Sequence, residues 1–145
     1  MNKPLAAALS ICLADATMMY HRIHGFHWNV TGPDFPQWHS KFEEIYEDVY
    51  GSLDPIAENI RKCGAFAPFT LLEFSKMTTI EDELVEEFDA DYLVGLAISD
   101  NAKVLATLNS AFQVANASNE QGVANFLAER IDAHQKWNWQ LTASL

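Results

Sequence analysis

The sequence predicts an all-α protein, a four-helix bundle with a short extra helix in the connection between the second and third long helices. Apolar residues recur at steps of three and four over four long segments, which is the pattern of amphipathic helices. No segment alternates polar and apolar residues over a useful length. With 145 residues, of which 49% are hydrophobic and 20% charged, the chain suits a single domain over residues 1–145 with one core.

The first helix is predicted from an apolar stripe that begins at Leu5. It should end before residues 31–36, where two prolines and a glycine break any helix. The run from Leu5 to Leu13, followed by Ala14 and Ala16, loosely imitates a signal peptide, but the stripe continues beyond Ala16 and argues against cleavage there. The stripe consists of Leu5, Leu9, Cys12, Leu13, Ala16, Met19, Tyr20, Ile23 and Phe26.

The second helix is predicted from Trp38 to Cys63, a length of about 27 residues and roughly 40 Å. Pro55 interrupts this segment, because proline removes one helical hydrogen bond. The alternative is two shorter helices, the second capped by Asp54 with Pro55 at its first position. The unbroken apolar stripe favours one helix with a kink. That stripe consists of Trp38, Phe42, Ile45, Val49, Leu53, Ile56, Ile60 and Cys63.

The second half of the chain predicts a connection and two more long helices. Residues 65–80 form the connection, with one short helical turn at Thr70–Phe74. The segment Asn116–Asn119 separates the last two helices. The stripe of the third long helix consists of Leu93, Leu96, Ala97, Val104, Leu108, Ala111, Phe112 and Ala115. The stripe of the last consists of Val123, Leu127, Arg130 or Ile131, His134, Trp137 and Leu141.

The charge balance argues against a nucleic-acid partner. Nine Lys and Arg against twenty Asp and Glu give a formal charge of -11, so no basic face is available to neutralise phosphates. No segment approaches the roughly 18 apolar residues of a membrane span. The two cysteines, Cys12 and Cys63, have no metal-binding or redox spacing, which favours a reducing compartment, the cytoplasm. The densest acidic run, interpreted as a solvated stretch, consists of Glu81, Asp82, Glu83, Glu86, Glu87, Asp89 and Asp91.

Histidines and carboxylates mark the candidate metal chemistry, because imidazole and carboxylate together bind iron, zinc and copper. His27 lies near the end of the first helix and His39 at the start of the second. Asp54 and Glu58 are four residues apart, so they share one face of the second helix. His39 and Asp54 lie roughly 22 Å apart on that helix and cannot bind the same ion.

A shared site is possible between two copies of the chain. Suppose that the second helices of two copies pack antiparallel across a two-fold axis. The numbers of any two residues that face each other then add up to the same sum along the whole contact. Pairing His39 with Asp54 or with Glu58 centres this contact near Tyr46 to Val49, the middle of the helix. Histidines of one copy would then meet carboxylates of the other, and a monomer would have no complete site.

Several motifs resemble the Dps family, the mini-ferritins of the ferritin superfamily. The segment His27-Trp28-Asn29 is followed twelve positions later by His39, and Asp54-x-x-x-Glu58 begins fifteen residues after that. All four ligand positions match the family pattern in residue type and spacing. Two further segments are similar to a short connecting helix and a final-helix motif of the family: Thr70-Leu71-Leu72-Glu73-Phe74 and Lys136-x-x-Trp139.

The resemblance implies a bundle of the ferritin-like type and a hollow shell of twelve subunits that stores ferric mineral. Ferroxidase centres at the two-fold interfaces would oxidise Fe(II), typically with hydrogen peroxide and otherwise with oxygen. Each centre would take His27 and His39 from one subunit and Asp54 and Glu58 from its partner, with Glu43 as an auxiliary acidic ligand. Trp28 would lie beside the centre. An alternative is a structural or DNA-compacting shell with a vestigial metal centre, and a third is a four-helix binding module unrelated to iron.

The chain departs from the family pattern in three places. Lys3 is the only early cation, whereas many members carry a Lys-rich tail that binds DNA. In the family, acidic residues line an iron pore at the three-fold axis. The corresponding positions here are the neutral Gln121 and Asn125. Glu120 and Glu129 could supply the acidic side chains instead. Pro55 lies between the two carboxylate ligands. The remaining histidines match no ligand position, and we interpret them as residues of polar helix faces or interface hydrogen bonds: His21, His24 and His134.

Overall fold

The computed structural model describes all 145 residues and contains five helices and no strand. The predicted all-α bundle and its extra short helix are confirmed. α1 packs against α2, α3 and α4, while α5 packs against α4 and closes the bundle on α2. The helices are α1 (Lys3–Asn29), α2 (Phe35–Lys62), α3 (Leu71–Met77), α4 (Ala90–Ala117) and α5 (Gln121–Thr142).

Local chemistry sets the ends of the long helices. The side chain of Asn2 caps α1 by accepting a hydrogen bond from the Leu5 amide at 3.2 Å. Gly32, between α1 and α2, has a φ of 120°, which side-chain-bearing residues rarely adopt. Asn119 between α4 and α5 has a φ of 58°, the left-handed conformation that asparagine tolerates. The predicted breaks after α1 and α4 therefore fall where expected.

α2 is one continuous helix of 28 residues that runs through Pro55. Asp54 consequently lies inside this helix and does not cap a second one. Because Pro55 has no N–H, it cannot donate the usual hydrogen bond to the carbonyl of Gly51. The Asn59 side chain donates to the Pro55 carbonyl at 2.9 Å, in the turn that follows. The single helix keeps Asp54 and Glu58 one turn apart.

α3 is longer than the predicted turn and begins one residue later. Thr70 and Glu73 form a capping box: the Thr70 hydroxyl accepts from the Glu73 amide, and the Glu73 carboxylate accepts from the Thr70 amide. The Phe69 amide also donates to this carboxylate at 2.9 Å. Hydrogen bonds from the backbone at Thr70 and Phe69 lower the pKa of Glu73. The box fixes the start of α3 on the outside of α1.

Two buried charges on α1 fasten the irregular segment between α3 and α4. The Asp15 carboxylate, fully buried, accepts hydrogen bonds of 2.6–2.7 Å from the Thr78 hydroxyl and from the amide and hydroxyl of Thr79. Arg22 donates to Asp100 of α4 at 2.7 Å and lies 3.6 Å from Asp82. All seven acidic residues of the run are exposed, as predicted for a solvated stretch, and the Asp82 side chain remains 65% exposed beside Arg22.

The core is one cluster of 30 buried hydrophobic residues contributed by all five helices and their connections. The predicted stripes lie at its centre, although Tyr20, Trp38, Leu53, Leu96, Phe112 and Ile131 are only partly buried. Cys12 and Cys63 are buried free thiols. Burial raises the pKa of Cys12 to about 12, so this thiol is not a reactive thiolate. None of the helices combines the length and the apolar character needed to cross a membrane.

Candidate metal centre

His27 and His39 form a cross-bonded pair where α1 meets the start of α2. Nδ1 of His27 lies 2.6 Å from the carbonyl oxygen of His39, and Nδ1 of His39 lies 2.7 Å from the carbonyl oxygen of His27. The two rings stack, with centroids 3.8 Å apart and planes inclined by 15°. The break at residues 30–34 brings the two helix ends together, so residues twelve apart become neighbours.

The cross-bonds define which ring nitrogens can bind a metal. A carbonyl oxygen only accepts hydrogen bonds, so both Nδ1 atoms carry the proton and donate it. In the neutral imidazoles the lone pair then resides on Nε2 of each ring, and neither Nε2 has a protein partner. Backbone carbonyls commonly orient metal-binding histidines in this way. The pair therefore has two ring nitrogens without a hydrogen-bond partner in the chain, and these are the candidate metal ligands.

The predicted carboxylates lie along the outward face of α2. Glu43, Asp54 and Glu58 are exposed, and His39 is half-buried. Their spacings of four, eleven and four residues are whole turns of an α-helix, so all four side chains share this face. Within one chain, no three or more His, Cys, Asp or Glu side chains converge as a metal site. The structure brings together His27 and His39 and leaves Asp54 and Glu58 farther along α2.

An aromatic cluster that the sequence reasoning missed surrounds the histidine pair. The ring of His24 stacks on Tyr46 at a centroid distance of 4.0 Å and lies 4.5 Å from the ring of Trp28. Its Nδ1 is 3.1 Å from the Tyr20 hydroxyl. Burial, followed by the neighbouring His27, lowers the pKa of His24. Tyrosines at positions 20, 46 and 50 with a histidine one turn after the first were the available signal.

The other two histidines have different surroundings. His21 is exposed on α1, as expected for a polar helix face. His134 is 1% exposed and lies inside the bundle, so its interpretation as a residue of a polar face or interface is wrong. Its Nδ1 lies 2.7 Å from the Asn101 side-chain oxygen, and its Nε2 lies 3.2 Å from Arg130. Burial lowers the pKa of His134 to about 3. The apolar stripe of α5 indicated burial at this position but not its partners.

The residues considered for an iron pore are exposed near the start of α5. Glu120 precedes the first turn of α5, Gln121 begins it, and Asn125 and Glu129 follow at whole-turn spacing.

Within the acidic run, Asp89 caps α4 by accepting from the Tyr92 amide at 3.2 Å. The other five acidic side chains of this run make no ion pair or side-chain hydrogen bond within the chain.

Known proteins share this architecture. The sequence model of the ferritin-like domain matches residues 6–145, so the chain is a ferritin-like protein. A Bacillus anthracis relative named DNA protection during starvation protein 2 is 30% identical over 145 residues, covering 100% of this chain and 99% of the relative. A Brevibacillus brevis protein named DNA protection during starvation protein is 30% identical, with coverages of 97% and 94%.

Solved structures agree with the sequence relatives. The Dps protein of Vibrio cholerae O1, described as a member of a superfamily of ferritin-like diiron-carboxylate proteins, superposes with a TM-score of 0.93 at 26% identity, covering 98% of this chain and 89% of that protein. A Dps protein from Bacillus brevis gives 0.92 at 29% identity, with coverages of 98% and 95%. The chain belongs to the Dps family of mini-ferritins.

Proposed function

We propose that this protein is a ferroxidase that oxidises Fe(II) and stores the Fe(III) as mineral in a hollow shell of twelve subunits. The whole chain, residues 1–145, would act as one ferritin-like domain in the cytoplasm. Iron is the substrate and cargo of the reaction. The observation that carries the proposal is the cross-bonded pair His27 and His39, whose Nδ1 atoms are held by backbone carbonyls and whose Nε2 atoms have no partner in the chain.

The proposed centre is shared between two subunits. His27 and His39 of one subunit would bind iron together with Asp54 and Glu58 of its partner, and Glu43 would assist. Exposed aromatic side chains around the histidines support a covered surface in the assembly: Trp28 is 63% exposed and Tyr50 59% exposed in the single chain. The lack of a complete metal site within one chain is consistent with such sharing.

The ligand chemistry suits iron oxidation. Carboxylates are hard oxygen donors that stabilise Fe(III), while two imidazoles allow Fe(II) to bind reversibly. Two Fe(II) ions supply the two electrons that reduce one hydrogen peroxide molecule to water, with two protons taken up. This reaction consumes both reagents that otherwise generate hydroxyl radical. The description of the Vibrio cholerae protein as diiron-carboxylate supports the same metal here.

Anaerobic titration with Fe(II), followed by peroxide, tests the activity. We expect rapid growth of ferric absorbance in the wild type and a rate near that of free iron in the double variant His27→Ala, Asp54→Ala. The matched control is His21→Ala, which removes an exposed histidine from the same helix. If the double variant and the wild type oxidise iron equally fast, the site assignment is wrong.

A mixing experiment tests whether the centre is shared. A dimer of one His27→Ala subunit and one Asp54→Ala subunit has one doubly damaged centre and one intact centre if ligands come from both subunits. Because half of randomly paired dimers are mixed, co-refolding equal amounts should restore about a quarter of the wild-type rate. If each subunit holds its own centre, the mixture stays inactive.

The relatives' names raise a second candidate, protection of DNA by direct contact. The formal charge of -11 opposes it, because binding to phosphates requires clustered cations. We expect no retardation of duplex DNA in a gel-shift assay at low salt. Size-exclusion chromatography with light scattering separates the shell from the remaining alternative, an isolated binding module, which would elute as a stable monomer.

A further inference from the structure

A cavity of about 410 Å³ lies between the last turns of α2 and the first turns of α5. Within one chain it is remote from the histidine pair, because His39 lies roughly 30 Å away at the opposite end of α2. Two exposed carboxylates, those of Glu58 and Glu120, lie on its rim together with the ammonium group of Lys62. One uncharged polar side chain, that of Asn59, is buried in its wall.

The orientation of the Asn59 amide is fixed by a hydrogen bond. Asn59 is 4% exposed, and its Nδ2 donates to the Pro55 carbonyl at 2.9 Å. Because a carbonyl oxygen only accepts, this bond determines which side of the amide carries the nitrogen. The side-chain oxygen is consequently turned away from the Pro55 carbonyl, and it has no hydrogen-bond partner in the chain.

The free oxygen of Asn59 borders the cavity. Among buried side-chain nitrogen and oxygen atoms, only Nε of Arg130 is both enclosed and without a hydrogen-bond partner. Since the Asn59 oxygen has no partner either, it has accessible surface, and the space that Asn59 lines is this cavity. Buried amide oxygens are nearly always satisfied in folded proteins. The cavity therefore has to supply this oxygen with a water, a donor or a cation.

We propose that the cavity binds a hydrated divalent cation through the Asn59 side-chain oxygen and the carboxylates of Glu58 and Glu120. Carboxylate and amide oxygens are the ligands that hard divalent cations prefer, and such ions often keep several of their waters. Six waters of roughly 30 Å³ each occupy about 180 Å³, so a hydrated ion fits the cavity. The site differs from the proposed ferroxidase centre because it uses no histidine and needs only one chain.

The charges around the cavity favour a cation over an anion. No ion pair of the chain involves Glu58, Glu120 or Lys62, so neither carboxylate is neutralised by direct contact. With one ammonium group against two carboxylates, the rim is net negative. α2 ends here with its negative pole and α5 begins here with its positive pole, so the two helix dipoles oppose each other and the side chains decide the field.

The position of Glu58 indicates what the cation site does. Glu58 lies on the rim of the cavity and is also a proposed ligand of the shared centre. An Fe(II) ion held beside this carboxylate would be close to that centre, so the site would raise the local concentration of Fe(II) there. This role rests on the proposed function, whereas the binding of a cation does not.

Mn(II) is the probe for binding, and electron paramagnetic resonance of the free ion measures how much the full assembled protein binds. The starting protein is His27→Ala, Asp54→Ala, which lacks the proposed centre. Adding Glu120→Gln should weaken the tightest remaining Mn(II) binding several-fold. Adding Asn59→Ala should do the same, because it removes the buried oxygen.

Two further variants show that these losses are specific. Lys62→Gln should strengthen Mn(II) binding, a result that a folding defect would not produce. Glu86→Gln is the matched control, since it removes one exposed carboxylate from the acidic run and should leave the binding unchanged. In crystals soaked with Mn(II), we expect anomalous scattering from an ion between Asn59 and Glu120. Anomalous peaks only at other positions, or unchanged affinity in Glu120→Gln and Asn59→Ala, would overturn the proposed cation site.

The rate of Fe(II) oxidation separates the cation site from the proposed function. With the centre intact, Glu120→Gln should raise the Fe(II) concentration for half-maximal rate several-fold and leave the maximal rate unchanged. If that concentration does not change, the cavity does not supply the centre. If the wild type does not accelerate Fe(II) oxidation, the proposed function fails and a Mn(II) site in the cavity still stands. If it does, and no Mn(II) binds in the cavity, the cation site fails and the proposed function stands.

Discussion

Two histidine environments in this molecule differ in how many ring nitrogens have a hydrogen-bond partner in the protein. Around His134, one ring nitrogen bonds to Asn101 and the other faces Arg130. Arg130 in turn makes two hydrogen bonds to the carboxylate of Asp48, which also accepts from the Trp137 indole at 2.8 Å. This network joins α2, α4 and α5, and it leaves the His134 ring no free nitrogen.

At His27 and His39 only Nδ1 of each ring is used, and the partner is a backbone carbonyl. The Nε2 atoms have no partner in the chain. Burial alone does not separate a structural histidine from a candidate ligand, since His27 is 8% exposed and His134 1% exposed. The number of ring nitrogens satisfied by the protein separates them, because a ligand must keep one lone pair free.

The largest expected effect is on the rate of Fe(II) oxidation, which should respond to His27 and not to His134. His27→Ala should lower the rate of Fe(II) oxidation by at least about 100-fold, because it removes a nitrogen that we propose binds the iron. His134→Ala should keep the wild-type rate per folded molecule, measured below the unfolding temperature and normalised by circular dichroism. Equal losses of rate in the two variants would contradict the distinction.

The sequence predicted the fold well because the apolar stripes are local patterns. It also predicted His27 and His39 as ligands from spacing and resemblance, and the structure brings them together. It could not predict the cross-bonds, the partners of Asp15 or those of His134, since a stripe shows which side of a helix is buried and not what lies opposite. Thr78 and Thr79 are more than sixty residues from Asp15. In the proposed centre Asp54 and Glu58 come from a second chain, and a single sequence does not show how two chains pack.

The order of the two variants should reverse when stability is measured, so that His134→Ala has the larger effect. His134→Ala should lower the free energy of unfolding by about 3 kcal/mol, because it opens a cavity and leaves the buried side-chain oxygen of Asn101 without its hydrogen bond. His27→Ala should cost about 1 kcal/mol, the value of one hydrogen bond to a carbonyl. Urea unfolding of both variants measures the difference. A larger loss for His27→Ala would show that the cross-bonded pair is the more important structural element.

The smallest expected effect is the pH dependence of the His134 network. The pKa of His134 is about 3 in the folded protein against 6.5 for an ordinary histidine. Between these values the unfolded chain binds a proton that the folded protein does not, so stability falls as the pH is lowered. From about pH 7 to about pH 5 the wild type should lose about 2 kcal/mol through this group. His134→Ala lacks this loss, so the stability gap between it and the wild type should shrink from about 3 to about 1 kcal/mol.

The wild type and His134→Ala share all other titratable groups, including His24 and the carboxylates. Comparing the stability of these two proteins at each pH therefore cancels what the shared groups contribute. Urea unfolding at both pH values therefore isolates His134. A gap that stays constant would mean that His134 takes up a proton inside the bundle at mild pH. That would require Arg130 to move away from Nε2, since a protonated Nε2 cannot accept a hydrogen bond from the guanidinium 3.2 Å away and the two cations repel each other. The network around His134 would then rearrange as the pH falls. Its difference from the pair His27 and His39 in the number of bonded ring nitrogens would therefore depend on pH.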